Sequence, residues 1–284
     1  MSWQEAAVEA LGARGAPAWR PAAKGAWTTA WSLAIGGGRY FVKIAPRADA
    51  AMLDAEADGL RALAACGASL RVPCVCAHGE DGGTAFLALS WLDLAGEAPG
   101  ASLGRALAAL HRGPQGGRYG WTRDNFIGAT PQVNGWLDDW AAFFRDRRLA
   151  PQIARALRAG HRVRGADALL AAVPRLLAGH RPQPSLLHGD LWSGNAGVLA
   201  SGAPAIFDPA VYVGDREADL AMTRLFGGFD AGFYRAYEEA SPLPPGHVAR
   251  SDLYNLYHVL NHLNLFGASY LARAERMIES LLGP

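Results

Sequence analysis

The sequence has few cysteines, no excess of either charge and no long apolar run, and each absence excludes a class of protein. Its three cysteines, Cys66, Cys74 and Cys76, are an odd number and lack partners at metal-ligand spacing. We therefore expect reduced thiols, with neither a disulfide framework nor a metal site built on them. The 27 Lys and Arg residues balance 26 Asp and Glu residues, so the net charge of +1 gives no electrostatic basis for binding nucleic acid.

Membrane and secretion signals are absent from the sequence pattern as well. No apolar run approaches the ~20 residues that a membrane-spanning helix needs. Residues 1–5 lack the basic-then-apolar build of a signal peptide. We therefore expect a cytoplasmic protein without a membrane partner. A chain of 284 residues is long enough for two lobes.

The most informative stretch is residues 185–195, where a short apolar run enters a polar turn that contains Asp190 and Asn195. A second apolar segment, residues 205–207, ends in Asp208. This spacing is typical of a phosphoryl-transfer site, in which one Asp takes the proton of the attacking hydroxyl, an Asn coordinates Mg²⁺ and a second Asp bridges Mg²⁺ to the phosphates. Isolated Asp and Asn residues usually cap turns, but the three-part spacing favours the catalytic interpretation.

The first third of the chain has strand patterns and two helical segments. Gly36, Gly37 and Gly38 predict a hairpin turn, because glycine tolerates the positive φ that tight hairpins require. If a phosphate cradle exists, it is the turn at residues 24–29, where Thr28, Thr29 and the backbone N–H groups could face phosphate oxygens. The predicted elements are a short helix over residues 1–20, strands at 31–35 and 39–44, a helix at 48–65, and strands at 72–78 and 85–91.

Lys43 lies inside an apolar strand, and burying its ammonium group is costly unless the group is paired. Glu56, on the following helix, can lie across from the strand and hold Lys43 against an anionic ligand. The alternative is a solvated lysine on an edge strand beside a solvated acidic helix face. The presence of Asp190, Asn195 and Asp208 later in the sequence favours the ligand-binding interpretation.

A polar connector near residues 93–100 separates this part from a mainly helical remainder. We therefore predict an N-lobe at residues 1–94 and a C-lobe at residues 95–284. Predicted helices cover residues 102–112, 135–149, 165–178, 234–240, 245–266 and 268–282, and a small hairpin covers 195–199 and 203–207.

Several C-lobe side chains have two interpretations. The aromatic stripe of the second helix (Trp136, Trp140, Phe143 and Phe144) favours core packing over a ligand cage. A polar row on the long helix either faces solvent or lines an acceptor pocket, with His262 and Asn264 as the best pocket candidates.

Two further residues are interpreted as structural. The ring of His188 is expected to bond nearby backbone and hold the catalytic turn. Asp219, in the first turn of a helix, is expected to anchor that turn from below.

The motifs together resemble the fructosamine/ketosamine kinase family, which lies within the protein-kinase-like fold beside aminoglycoside phosphotransferases and choline kinases. The likeness extends from about residue 20 to the C-terminus. An aminoglycoside phosphotransferase typically has His-Pro where this chain has Trp192-Ser193. The motifs that carry the resemblance are residues 188–195, 208–210, 214–222, 41–43, Glu56 with 59–60, 110–111, 119–121, 124–125, 127–128, Gln132 and 261–267.

The resemblance implies an α+β, two-lobed fold with a β-rich N-lobe that carries one main helix, and a larger helical C-lobe. It also implies an ATP-dependent kinase that transfers the γ-phosphoryl group to a sugar hydroxyl of a ketosamine, in repair of glycated amines or proteins. Carried over residue by residue, Asp190 is the base and Asn195 and Asp208 hold Mg²⁺. Lys43, paired with Glu56, positions the phosphates. The backbone of Leu89, Ser90 and Trp91 cradles adenine, and Trp192 lies against the sugar.

Two features depart from the family pattern. Ser90 stands where the family often carries Glu, and the turn at residues 24–29 lacks the usual Gly-Gly-x-Ile-Asn pattern. That turn also lacks the cysteine through which some relatives form disulfide-linked dimers, so we expect a monomer. Two alternative functions stay open: a phosphotransferase for another acceptor, such as an aminoglycoside or amino alcohol, and a nucleotide-binding module without catalysis.

Overall fold

A computed structural model describes residues 1–25, 27–67, 69–96, 100–113 and 116–283 of the chain. In this part, a five-stranded antiparallel sheet is followed by a mainly helical region with three two-stranded ribbons. None of the described helices is long and apolar enough to cross a membrane.

The N-terminal region is a sheet with the strand order β1-β2-β3-β5-β4 and a helix against each face. On one face Ala7 of α1 packs with Val42 and Phe86; on the other, Leu53 and Leu60 of α2 pack in a separate apolar cluster. The elements are α1 (Trp3–Ala10), β1 (Ala18–Lys24), β2 (Thr29–Ile35), β3 (Gly38–Pro46), α2 (Ala50–Ala65), β4 (Val75–Asp81) and β5 (Thr84–Ser90).

Most predicted elements of this region are confirmed to within a few residues. Gly36 and Gly37 have φ of +59° and +79°, which is the backbone that the predicted hairpin turn requires. The predicted helix over residues 1–20 is wrong in its second half, because α1 ends at Ala10 and β1 follows it. The strand predicted at 72–78 begins later, at Val75, since Pro73 has no N–H to donate to a neighbouring strand.

The remainder of the chain packs around two apolar clusters, one of which surrounds Trp140, Phe143 and Phe144. The ribbons are β6–β7, β9–β10 and β8–β11, all antiparallel. The elements are α3 (Ala101–His111), β6 (Asn125–Ile127), β7 (Thr130–Gln132), α4 (Trp140–Phe143), α5 (Ala150–Arg158), α6 (Ala166–Leu176), β8 (Pro184–Leu187), β9 (Ala196–Val198), β10 (Pro204–Ile206), β11 (Tyr212–Asp215), α7 (Glu217–Leu225), α8 (Ala231–Ala240), α9 (His247–Phe266) and α10 (Leu271–Leu282).

The aromatic stripe is core, as predicted, but its helix begins later than residue 135. Asp139 caps the helix by accepting a hydrogen bond from the N–H of Ala142 at 2.7 Å, so Trp136 lies before the first turn. A π-helical turn at Phe144–Leu149 joins α4 to α5. Within that turn Arg148 is fully buried.

The connector between the two regions is bonded to the C-terminal region rather than left loose. Ala95 donates its N–H to Val198 at 2.8 Å, and Ala200 donates to Asp93 at 2.8 Å. Residues 97–99 of the predicted connector lie outside the described part. The division at residues 94 and 95 stays a prediction.

Candidate active site

A cavity of about 470 Å³ lies between the sheet and the helical region. Its walls come from the turn before β2, from β3 and α2, from the β6–β7 hairpin, from the turn after β8, and from the end of α9. Eight residues that the sequence placed in the site line it: Thr28, Lys43, Glu56, Asp190, Trp192, Asn195, Asp208 and His262.

Lys43 is buried between two carboxylates at the back of this cavity. Its Nζ lies 2.7 Å from Oε1 of Glu56 and 2.7 Å from Oδ1 of Asp208. Burial alone would lower the pKa of Lys43, but the two carboxylates outweigh it and the pKa is raised. Burial raises the pKa of Glu56 despite the neighbouring ammonium group. The pairing expected between Lys43 and Glu56 is confirmed, and Asp208 completes it as a triad.

Asp208 adopts a left-handed backbone, with φ of +57°, that residues with a Cβ atom rarely visit. The preceding residue is held on both sides, because Phe207 donates its N–H to the carbonyl of Asn195 at 3.0 Å and its own carbonyl lies 2.9 Å from Nε2 of His188. The structural interpretation of His188 is thereby confirmed. The side chain of Asp208 is 45% exposed and opens into the cavity.

Asp190 and Asn195 face each other across the turn that follows β8. Nδ2 of Asn195 donates to the backbone oxygen of Asp190 at 2.9 Å and to its Oδ2 at 3.2 Å. Burial, together with the nearby charge of Asp208, raises the pKa of Asp190 to about 7. In the ligand-free protein this carboxyl group can therefore take up and release a proton near neutral pH.

The turn that carries Asp190 is anchored from beneath by Asp219 of α7. Its carboxylate accepts the N–H groups of His188 at 2.8 Å and Gly189 at 2.9 Å, as the sequence led us to expect. Gly189 has φ of +82°, and a Cβ atom there would lie 2.0 Å from the carbonyl oxygen of Ala210. The turn is thus packed directly against the segment that follows Asp208.

The raised pKa of Asp190 predicts how stability depends on pH. Because the folded-state pKa lies above the unfolded value of about 3.9, this group stabilises the fold at low pH, and the contribution is lost as pH rises through about 7. Wild type should therefore lose about 1 kcal/mol per pH unit between pH 5 and pH 7 that the Asp190→Asn variant does not lose. Urea unfolding of both proteins in EDTA at pH 5, 6, 7 and 8 measures this, and parallel curves would contradict it.

Two oxygens beside the cavity suit a hard divalent cation. Within the described part of the chain, Oδ1 of Asn195 and Oδ2 of Asp208 take part in no hydrogen bond, whereas Nδ2 of Asn195 and Oδ1 of Asp208 are engaged. Carboxylate and amide oxygens are the ligands that Mg²⁺ prefers. The donor set therefore fits Mg²⁺ at this point.

Two of the predicted site residues lie away from the cavity lining. Thr29 begins β2 and pairs with Lys24 and Ile44. The side chain of Asn264 donates to Gln152, with Nδ2 at 3.0 Å from its backbone oxygen and 2.6 Å from its Oε1. Asn264 thus faces α5, and we do not carry it forward as an acceptor-binding residue.

The predicted adenine cradle at Leu89, Ser90 and Trp91 also lies outside the cavity lining. Leu89 is buried in the core, Ser90 donates its N–H to Cys74 at 2.9 Å, and Trp91 donates to Arg39 at 3.2 Å. Two of the three N–H groups are therefore engaged within the protein. A nucleotide base could not accept a hydrogen bond from the N–H of Ser90 or Trp91 without displacing these partners.

Sequence reasoning missed most of the aromatic rim of the cavity. Trp27, Phe226 and Phe266 line it together with the predicted Trp192, and all four side chains stay 39–52% exposed. Trp27 stacks on Phe266 across the mouth, with ring centroids 6.3 Å apart. Nothing in the sequence signals this group, because no regular spacing links these four aromatic residues.

The fold and the site together define a class of protein. A lysine paired with a helix-borne glutamate, opposite an Asp-Asn-Asp set in a cleft between a sheet and a helical region, is the architecture of a protein-kinase-like phosphotransferase. An aminoglycoside phosphotransferase, APH(4)-Ia, solved in complex with AMP-PNP and hygromycin B, has the same fold (TM-score 0.68, 17% identity, 99% of this chain and 98% of that one). The expected two-lobed α+β fold is confirmed.

The chain belongs to the fructosamine kinase family, as its motifs suggested. The family model described as "Fructosamine kinase" matches residues 4–283. A "Probable ketoamine kinase" of Synechocystis sp. is 46% identical over 255 residues, which cover 89% of this chain and 86% of the relative. The crystal structure of a "Putative fructosamine-3-kinase" from Haemophilus somnus 129PT is similar over 99% of this chain and 97% of that one, with a TM-score of 0.91 and 30% identity.

Proposed function

We propose that this protein is an ATP-dependent kinase that phosphorylates a sugar hydroxyl of ketosamines. The observation that carries the proposal is the convergence of Lys43, Glu56, Asp190, Asn195 and Asp208 on one cavity in a chain of this family. The ketoamine kinase names of its relatives favour this acceptor over an aminoglycoside or amino alcohol.

We assign the roles from the contacts. Lys43, which Glu56 holds in place, would contact the α- and β-phosphates of ATP. Asn195 and Asp208 would hold Mg²⁺, which neutralises charge on the phosphates when it is bound. Asp190 would accept the proton of the attacking hydroxyl, and its hydrogen bond from Asn195, a proposed Mg²⁺ ligand, supports this role. Thr28 also lines the cavity and would face the phosphate oxygens.

The acceptor side of the cavity is the end formed by Trp192 and His262. The ring of Phe226 lies between them, 6.4 Å from Trp192 and 5.0 Å from His262 between centroids. Burial lowers the pKa of His262, so the ring is neutral at pH 7. Its Nδ1 donates to the carbonyl of His258 at 2.8 Å, which leaves Nε2 to accept a hydrogen bond from a sugar hydroxyl. We propose that the ketose sits against these rings.

The wider setting is proposed on the same basis. The acceptor is a small ketosamine or a glycated protein, and repair of glycated amines is the corresponding role. We further propose a monomer that acts in the cytoplasm, without nucleic-acid or membrane partners.

A panel of acceptors tests the function. ADP release should be seen with fructosamines and ribulosamines and fall to background with an aminoglycoside and with choline. A glycated protein is included beside the small ketosamines, so that the ADP release shows which of the two kinds of acceptor is phosphorylated. Turnover on an aminoglycoside alone would replace the proposed acceptor, and ATP binding without turnover on any ketosamine would favour a non-catalytic module.

A further inference from the structure

Beside the cavity, four polar side chains are buried where apolar packing would be expected. Asn125, Gln132, Asn134 and Arg148 are each no more than 4% exposed. We call them the amide network. They connect the β6–β7 hairpin and the π-helical turn to the backbone just after Asp208, and Asn125 itself lines the cavity. Buried polar groups need complete hydrogen bonding, so the direction of each bond is informative.

Arg148 fixes the direction of the network, because a guanidinium group donates hydrogen bonds and cannot accept them. Its Nη2 lies 2.9 Å from Oδ1 of Asn134, and its Nη1 lies 2.6 Å from the carbonyl of Val133. Oδ1 of Asn134 must therefore be the acceptor. Nδ2 of Asn134 is left to donate onward, to Oδ1 of Asn125 at 2.8 Å and to the carbonyl of Arg123 at 3.1 Å.

The remaining bonds continue in the same direction and end on two backbone carbonyls. Nδ2 of Asn125 donates to Val211 at 2.7 Å. The hydroxyl of Tyr257 donates to Oε1 of Gln132 at 2.8 Å, which turns Nε2 of Gln132 toward the carbonyl of Ala210 at 3.0 Å and Oδ1 of Asn125 at 2.8 Å. Each amide in the network is thus held in one orientation by a neighbouring donor. Gln132 and Asn125 in turn donate to the carbonyl groups of residues 210 and 211.

These two carbonyls follow closely after the left-handed backbone of Asp208. Such a conformation persists only where its surroundings hold it. Asn195 and His188 hold the upstream side through Phe207. On the downstream side, Ala210 donates its N–H to the carbonyl of His188 at 2.8 Å and receives the amide of Gln132 on its own carbonyl.

We propose that the amide network positions Asp208 by clamping the backbone of residues 210–211, and thereby sets the carboxylate that faces Lys43. Its members are positioning residues, since they act on Asp208 through the backbone. The catalytic consequence rests on the proposed function, but the clamp itself does not.

The test removes the side-chain amide of Gln132, which donates a hydrogen bond to the carbonyl of Ala210. Gln132→Met keeps a side chain of similar length and deletes the amide. In the ligand-free protein of 284 residues, hydrogen–deuterium exchange of the amides in residues 208–213 should rise at least about tenfold, while exchange in β2 and β3 stays unchanged. In calorimetric titrations, the gain in ATP affinity that Mg²⁺ provides should fall about tenfold, while affinity for ATP without Mg²⁺ is retained.

Thr130→Val is the matched control, because Thr130 lies on the same hairpin and its buried hydroxyl has no hydrogen-bond partner in the described part of the chain. This variant should change neither measurement. If Gln132→Met does not fold, Tyr257→Phe replaces it, since it keeps the ring and removes only the hydroxyl that orients Gln132.

Two results would overturn the clamp: unchanged exchange at residues 208–213, or a uniform rise across the whole helical region with the Mg²⁺ effect intact. A wild-type protein that phosphorylates no ketosamine would refute the proposed function instead. The exchange measurement would still decide on the clamp.

Discussion

Asp190→Ala is expected to lower kcat by about 10³-fold or more while ATP still binds with nearly wild-type affinity. A positioned general base contributes about 10²–10⁴-fold, and Asp190 is the carboxyl group that Asn195 orients beside the cavity. Because Asp190 makes no bond to Lys43 or Glu56, its loss leaves that pair intact. Steady-state ADP release and calorimetric titration with Mg·ATP measure the two effects separately.

Asp190→Asn should be nearly as inactive, because the amide keeps the shape but cannot take up a proton. Asp252→Ala is the control: it removes an exposed carboxylate on α9, away from the cavity, and should leave kcat unchanged. Substantial turnover by Asp190→Asn would show that another group accepts the proton.

Lys43→Met is expected to lower kcat/KM for ATP by about 10²–10³-fold, through loss of the charge that we propose contacts the phosphates. It also leaves Glu56 buried without its counter-charge, which costs about 3 kcal/mol in comparable buried pairs. Since the pKa of Glu56 is already raised, this carboxyl group should become protonated in acid. The loss of stability should therefore be larger at pH 8 than at pH 5 in thermal unfolding.

Arg158, which is exposed on α5 and does not line the cavity, provides the control. Arg158→Met should change neither the ATP parameters nor the unfolding temperature. Equal effects of the two substitutions would mean that charge removal in general, and not the buried position of Lys43, is responsible.

The parts of the site that lie on one continuous stretch could be predicted from the sequence. Asp190 and Asn195 share a turn, and a short hairpin returns the chain to Asp208, so local spacing already implies that the three side chains meet. Lys43 and Glu56 were paired by a different argument, namely that an ammonium group inside an apolar strand needs a carboxylate. Both arguments depend on the small number of residues that separate the partners along the sequence.

The rest of the site depends on how separate segments pack. On α9, residues 261, 262, 265 and 266 face the cavity, as helical periodicity requires of one face. Asn264 lies on the side that faces α5, and the polar row alone did not distinguish the two sides. Trp27 and Phe266 meet only after the lobes are assembled, so no local pattern could pair them. Edge strand β1 was missed because nearly all of its residues are exposed and show no alternation.

The connector also limits how the two lobes can move apart. Residues 93–95 are tied by two backbone hydrogen bonds to the strand and turn at 198–200, and the ribbon to which these belong leads directly to Asn195 and Asp208. Any separation of the lobes should therefore be smallest near this ribbon, beside Asn195 and Asp208. The gap should widen where Trp27 rests on Phe266, and the proposed acceptor would enter there.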